Sequence, residues 1–209
     1  KEREYILDAA YWAKDLHAGQ KRASGEPYFI HPLQVAEILV DMQLDSEAVV
    51  AALLHDVVED TDVTPADLRR RFGRQIASLV DGVTKISIVK AKSKSEQESE
   101  SIRKMLFAMT KDIRVIIIKL ADKFHNMSTL EHLEPKKRKT IATECLDIYA
   151  PLADRLGISW MKAELEDLSL RHLQPETYEQ IRSFLVTRKE ERASYLKKVE
   201  KAIFDAAKE

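Results

Sequence analysis

The 209 residues carry 34 Lys plus Arg against 35 Asp plus Glu, a net charge of −1. Whole-molecule attraction to nucleic acid or to an anionic membrane is therefore excluded, and any basic site must be local. Hydrophobic residues make up 44%, which excludes the disordered classes and allows one good-sized core or two small ones, while the lone cysteine, Cys145, excludes an internal disulfide and suits a reducing cytosol.

Five Gly, six Pro and few alternating β-branched runs predict an all-α protein with essentially no sheet. A first helix is expected from Glu2 to Leu16, with Tyr5, Ala9, Trp12, Ala13 and Leu16 as its buried stripe, broken by Gly19 and the Ser24-Gly25-Glu26-Pro27 turn. His31-Pro32 opens a second helix, because proline is favoured at the first helical position and restricts the residue before it. Ser46 is a suitable N-cap for a third helix that runs through Val49 to Leu54 and carries His55. Thr64-Pro65-Ala66-Asp67 reads as the cap and first turn of a short fourth helix ended by Gly73, and Gln75 to about Ile88 forms a fifth with Ile76, Leu79, Val80 and Val83 inward. No apolar residue lies between Ala91 and Ile102, so residues 90–101 are predicted to be a mobile connector, followed by a helix over 101–109.

Val115 to Asn126 is apolar on nearly all sides at its start and is expected to be a central helix; its apolar run, Val115 to Ile118, is far short of the roughly 20 residues that span a bilayer. Lys136 to Leu156 is expected to form one long helix stopped by Gly157, Ser159 caps another to about His172, and Pro175 starts a last, heavily charged one. The chain opens on Lys1 without a basic-then-apolar leader and reads as a piece of a longer protein.

The most informative stretch is Leu53-Leu54-His55-Asp56-Val57-Val58-Glu59-Asp60-Thr61. Continued as a helix, it gathers His55, Asp56, Glu59 and Asp60 on one side. Carboxylates at such spacings repel by roughly 0.2–0.5 kcal/mol per pair, and no Lys or Arg between Leu53 and Leu68 offsets them. A divalent cation held by His55 and Asp56 would supply the missing charge; an exposed, solvated acidic face is the alternative. Asp122 shares its face with Val115, Ile118 and Lys119, so it is expected to be partly buried and to need a partner, either Lys119, another Arg, or a metal. Taken together, His31, His55, Asp56 and Asp122 form a mixed nitrogen and oxygen set that suits Mn²⁺ or Fe²⁺ better than Mg²⁺ or a thiolate-bound zinc.

His17 and His125 read as hydrogen-bonded structural groups, His132 and His172 as surface residues, Trp12 and Trp160 as core, and Lys136-Lys-Arg-Lys139 as a solvated face, with a contact to a phosphate tail or a nucleic acid as the alternative.

The order of a single His, then His-Asp, then a later Asp resembles the HD-domain metal phosphohydrolases. The likeness extends over nearly the whole chain to the hydrolase domain of the RelA/SpoT alarmone enzymes. It is carried by His17-Ala-Gly-Gln20-Lys-Arg22-Ala-Ser24-Gly25-Glu26-Pro27-Tyr28-Phe-Ile-His31-Pro32, by His55-Asp-Val-Val-Glu-Asp60-Thr61, by Lys119-Leu-Ala-Asp-Lys-Phe-His-Asn126-Met-Ser-Thr129-Leu130 and by Tyr149-Ala-Pro-Leu-Ala-Asp-Arg155-Leu-Gly157. Ala23 stands where that family is often basic, and Asp154 where it often has His.

The resemblance implies an HD-domain helical bundle of about ten helices, with residues 1–172 as the hydrolase domain and 173–209 as a charged helical extension leading towards a synthetase domain. It implies that His31, His55, Asp56 and Asp122 hold Mn²⁺ and that Glu59 and Asp60 act on the attacking water. Arg22 and Ser24 would line the guanine end, with Asn126 and Thr129 near the sugar. The activity implied is cytoplasmic, Mn²⁺-dependent removal of the 3′-pyrophosphate of guanosine tetra- or pentaphosphate in the stringent response, with any ribosome association carried by regions outside this chain. The rivals are a broader HD-type nucleotide phosphohydrolase and a catalytically silent nucleotide-binding domain.

Overall fold

The computed structural model describes residues 2–87 and 111–186, together with Leu196 and Val199. The expected connector at 90–101, the expected helix at 101–109 and most of the charged tail lie outside the described residues. Within them the chain is helical, with an isolated bridge between Lys21 and Pro27 as the one β contact recorded.

The helices are α1 (Glu2–Leu16), α2 (Ile30–Asp41), α3 (Ser46–Leu53), α4 (Val57–Asp60), α5 (Pro65–Ser87), α6 (Arg114–Ser128), α7 (Pro135–Glu144), α8 (Ala150–Arg155), α9 (Ser159–Leu173) and α10 (residues 175–186). No described helix is long and apolar enough to cross a membrane.

α3 is the hub of the first layer. Ala48 through Leu53 are all buried, and α1, α2, α5 and α6 pack around them. Three of those six residues are alanines, small enough to let neighbouring backbones approach, and full burial of each Val or Leu contributes about 1.5–3 kcal/mol. α6 belongs to both layers, touching α2, α3 and α5 on one side and α9 on the other, as expected of a helix that is apolar on nearly all sides at its start. α9 closes the second layer against α7 and α8.

The capping chemistry follows the sequence with one change. Thr64 and Asp67 cap α5 reciprocally, the Asp67 N–H donating to Thr64 Oγ1 at 3.3 Å and the Thr64 N–H to Asp67 Oδ2 at 3.1 Å. The cap of α3 is Asp45 rather than Ser46, since Asp45 Oδ1 accepts from the Ala48 N–H at 2.8 Å. Arg114 ties that cap to the start of α6, with contacts of 2.7 Å to Asp45, 3.0 Å to Glu47 and 2.7 Å to Asp112. Gly73, with a non-helical φ of 84° and ψ of 175°, interrupts the run at a kink, so the expected fourth and fifth helices are the two legs of α5 on either side of it. Beyond that bend, α5 passes so close to α6 that a Cβ on Gly82 would lie 2.9 Å from Val115 Cγ2.

The expected helix from Lys136 to Leu156 is continuous in course but not in hydrogen bonding. Cys145–Tyr149 form a π-turn between α7 and α8, with the Ala150 N–H donating to the Cys145 carbonyl five residues back. Pro151 explains it: proline cannot donate to the residue 147 carbonyl and its ring crowds that oxygen, so the ladder widens there.

Candidate metal centre

His55 and Asp56 do not lie in a helix. α3 ends at Leu53, residues 54–56 form a turn, and α4 begins at Val57. The carbonyl of Ala52, which in an unbroken helix would accept from the Asp56 N–H, faces His55 Nδ1 at 2.7 Å instead. The sequence expectation of one continuous helix is corrected on this point. The correction matters chemically, because consecutive residues of a helix diverge by about 100°, whereas the turn lets His55 and Asp56 face the same point.

That point is shared with His31, in the first turn of α2, and Asp122, in the middle of α6. His31 Nε2 is 3.2 Å from Asp122 Oδ1 and 3.6 Å from Asp56 Oδ2; His55 Nε2 is 3.1 Å from Asp56 Oδ1 and 3.9 Å from Asp122 Oδ1. Ligand atoms of His31, His55 and Asp122 fall within 4.8 Å of one another, all three residues being buried, and Asp56 borders them.

These residues fit a divalent cation. His55 Nε2 is buried with no hydrogen-bond partner, while Nδ1 is engaged with the Ala52 carbonyl, so a neutral imidazole would aim a bare lone pair at the centre. Burial opposes charge on His55, yet Asp56 and Asp122 outweigh it and push the imidazole up to about 9. Burial likewise opposes ionisation of Asp56 and Asp122, but His55 pulls Asp56 down to about 2, and Lys119 with the histidines holds Asp122 well below the usual carboxylate range. The cluster's demand is for positive charge, which a divalent ion meets while leaving both imidazoles neutral.

The groups behind the cluster hold its members from outside. Lys119 Nζ lies 2.6 Å from Asp122 Oδ2, leaving Oδ1 turned towards His31 and His55; the salt bridge, set by the sequence as an alternative to a metal, occupies one oxygen of the carboxylate and leaves the other facing the cluster. Asn126 Nδ2 donates to Asp122 Oδ1 at 2.6 Å and accepts on Oδ1 from Arg22 Nη2 at 2.6 Å. The Tyr28 hydroxyl donates to Asp56 Oδ2 at 2.8 Å. His17 stacks on Tyr28 with centroids 4.7 Å apart and meets Gln20, whose amide donates to the Asp60 carbonyl, so His17 is the structural group the sequence suggested. His125 is hydrogen-bonded too, but to the ring of His31, at 2.8 Å between the Nδ1 atoms. Burial first, then His31 and Arg22, hold His125 down to about 4.

Two clefts are lined by groups that interact with the cluster, Tyr28 and Asn126 in one and Glu59 in the other. Arg22, Ser24, Asn126 and Thr129 line one of about 390 Å³, together with Tyr28 and the lysines Lys21, Lys123 and Lys137. Lys137 thus brings the basic run 136–139 to the cleft. Arg22 Nη1 is buried here without a hydrogen-bond partner, and Ser24 Oγ donates to Glu26 at 3.1 Å. Glu59 and Asp60 line the other, acidic cleft of about 700 Å³, with Gln20, Asp62 and Trp12. Burial, reinforced by Asp56 and Asp60 against the opposing pull of Lys119, pushes the Glu59 carboxyl up.

Sequence reasoning did not single out Tyr28 or the His125 contact, both of which depend on partners 28 and 94 residues away. Trp160, expected in the core, is 47% exposed and set edge-on to Phe124, and His172, expected at the surface, buries its Nε2.

Residues 9–159 match the HD domain family. The chain is 51% identical over 195 residues to a GTP pyrophosphokinase of Myxococcus xanthus, covering 91% of this chain and 26% of that protein. It is also 51% identical over 197 residues to the guanosine-3′,5′-bis(diphosphate) 3′-pyrophosphohydrolase of Borreliella burgdorferi, covering 94% of this chain and 30% of that one. It therefore spans under a third of the length of these relatives. Among solved structures, a metazoan ortholog of SpoT described as hydrolysing ppGpp superposes with a TM-score of 0.61 at 26% identity, over 81% of this chain and 96% of that one. With its match running from α1 to the start of α9 and taking in all four residues of the buried cluster, the chain belongs to the HD domain family.

Proposed function

We propose that this chain hydrolyses the 3′-pyrophosphate of guanosine tetra- or pentaphosphate, giving GDP or GTP and pyrophosphate, with Mn²⁺ held by His31, His55, Asp56 and Asp122. The observation that carries the reading is the buried His31, His55 and Asp122 cluster, with Asp56 at its edge, next to a basic cleft whose Tyr28 and Asn126 bond to Asp56 and Asp122. Mixed nitrogen and oxygen donors favour Mn²⁺ over Mg²⁺. Relatives named for this hydrolysis, about half identical over more than nine-tenths of the chain, support the substrate.

When bound, the ion supplies Lewis-acid polarisation of a phosphoryl oxygen and eases deprotonation of water. The protein does the rest. Water adds to the phosphorus that carries the ribose 3′-oxygen, and the bond between that oxygen and phosphorus breaks. Glu59, made a stronger base than an ordinary carboxylate by its burial, takes one proton from the water, and that proton passes by way of Asp60 beside it to the departing 3′-oxygen. Lys21, Lys123 and Lys137 balance phosphate charge in the cleft where Arg22 and Ser24 meet the guanine and Asn126 and Thr129 the sugar. Residues 1–172 form the hydrolase unit and 173–209 lead away from it towards a synthetase domain, in a cytoplasmic protein of the stringent response.

The test is pyrophosphate release from guanosine tetraphosphate with Mn²⁺, with other nucleotides in parallel, for the wild type and for Glu59→Gln. The wild type should act on the guanosine tetraphosphate alone, and Glu59→Gln should keep its Mn²⁺ while turnover falls by roughly 10²–10⁴-fold, the contribution of a positioned acid–base group. Equal action on other nucleotides points to a broader phosphohydrolase; no release from any of them, with Mn²⁺ bound, points to a silent binding domain. Parallel loss of metal and activity in Glu59→Gln makes Glu59 a ligand.

A further inference from the structure

His31 turns one ring nitrogen, Nε2, towards Asp122 and Asp56. The other, Nδ1, lies 2.8 Å from Nδ1 of His125, with the two rings 4.9 Å apart and tilted by 44°. Two ring nitrogens at that distance share one proton, and which of them carries it is fixed by what the far side of each ring must do. A ligating imidazole gives its lone pair to the metal, so a His31 that binds through Nε2 must keep its proton on Nδ1. His125 Nδ1 is then the acceptor and the His125 proton sits on Nε2. We infer that His125 is a positioning residue that fixes the tautomer and ring plane of His31 for metal binding.

The inference rests on the reading of the cluster as a metal centre and adds to it a group outside the ligand set. Metal-bound histidines ordinarily donate their second N–H to a carboxylate, a backbone carbonyl or water. Here the acceptor is a neutral ring, and the electrostatics give the reason. Asp56 and Asp122 already face the centre and Glu59 interacts with both Asp56 and Lys119, so a further carboxylate behind His31 would add negative charge to a buried cluster that is rich in it. An imidazole accepts the hydrogen bond without that cost. The placement is also economical in backbone terms: His125 lies three residues after Asp122 on α6, so one helix face provides a ligand and also orients the ligand that α2 provides.

The test compares the metal-stripped wild type, His125→Phe and His125→Gln by titration with Mn²⁺, followed by calorimetry and by the electron paramagnetic resonance signal of the free ion. His125→Phe keeps a flat ring but no acceptor and should bind Mn²⁺ about 10–100-fold more weakly, the usual effect of losing a partner of a metal ligand. Glutamine can present its carbonyl oxygen to His31 and should recover most of that affinity. Unchanged Mn²⁺ affinity in His125→Phe overturns the inference, as does an equal loss in both variants, which would mark His125 as a space-filling ring.

A measurement on the wild type covers the case in which a variant fails to fold. In protein carrying ¹⁵N-labelled histidine and loaded with diamagnetic Cd²⁺, long-range proton–nitrogen spectra should find His31 metallated at Nε2 and protonated at Nδ1, with His125 Nδ1 bare. Protonation of His125 at Nδ1 overturns the inference. A wild type that binds neither ion refutes the metal reading itself, a result distinct from a wild type that binds and a variant that matches it.

Discussion

Replacing Lys119 with methionine keeps most of the aliphatic stem and removes the charge that faces Asp122 Oδ2 at 2.6 Å. Both partners are buried, and taking one member from a buried ion pair costs about 3–5 kcal/mol because the other is left uncompensated. For a chain of this size each kcal/mol lowers the melting temperature by about 2–4 °C, so the metal-free variant should melt roughly 6–20 °C below the wild type. The same change makes the cluster one unit more negative, so Mn²⁺ should bind it more tightly. Stabilisation by a ligand grows with the logarithm of its concentration over Kd, and each tenfold gain in affinity adds about 1.4 kcal/mol. The variant should therefore be less stable without metal and gain more on adding it. Differential scanning fluorimetry across a Mn²⁺ series reads both quantities. A variant that melts like the wild type without metal, or whose Mn²⁺-induced rise is smaller, would refute the charge-compensation argument.

Arg22→Ala should raise KM for guanosine tetraphosphate more than it lowers kcat, because a guanidinium at the base end contributes binding felt equally by substrate and transition state; a fall in kcat at constant KM would put Arg22 at the chemistry. Gly82→Ala sets a helix-propensity gain of about 1 kcal/mol against an overpacking cost of about 1–3 kcal/mol, since the new Cβ meets the stiff, buried Val115 at 2.9 Å. Chemical denaturation should show a net loss of up to about 2 kcal/mol, and a stabilised variant would mean that α5 and α6 separate easily. The hydrogen bond from Arg114 holds the Asp112 carboxyl below its ordinary 3.8. A depressed carboxyl stabilises the fold above its unfolded value and loses that contribution as pH falls through the folded one. Arg114→Met should accordingly be less stable than the wild type at pH 6, and the gap should narrow below pH 3.8; a gap that does not change with pH would assign the effect to packing.

The sequence was most informative where residue type alone carries the chemistry. His55 and Asp56 stood out before any coordinates because the acidic stretch around them has no Lys or Arg up to Leu68, and His31 and Asp122 joined them as the residues that complete a mixed nitrogen and oxygen set. The ends of α1 and the cap of α5 followed from Gly, Pro, Thr and Asp at fixed offsets. The break at residues 54–56 did not, since the apolar period runs on through Leu53, Leu54, Val57 and Val58 as if the helix continued. The signal for the π-turn was present in Pro151, an interior proline in an otherwise helical pattern, and was not used. The His31 to His125 contact spans 94 residues and has no local signature at all.

The widened turn at Cys145–Tyr149 works as a frameshift written in three dimensions. One additional residue in a turn sets everything after it back by about 100° relative to the helix before it. In that shifted phase Ile148, Tyr149, Ala150, Leu152 and Ala153 reach the interior while Leu146 and Asp147 stay outside. Tyr149 then lies beneath the Lys123 ammonium, 4.8 Å from ring centroid to nitrogen, and Lys123 also lines the basic cleft. The surplus residue is thus a phase-setting part of the molecule. Deleting one exposed position there would swing the ring from under Lys123 and move a positive charge in the cleft, without replacing any residue that lines it.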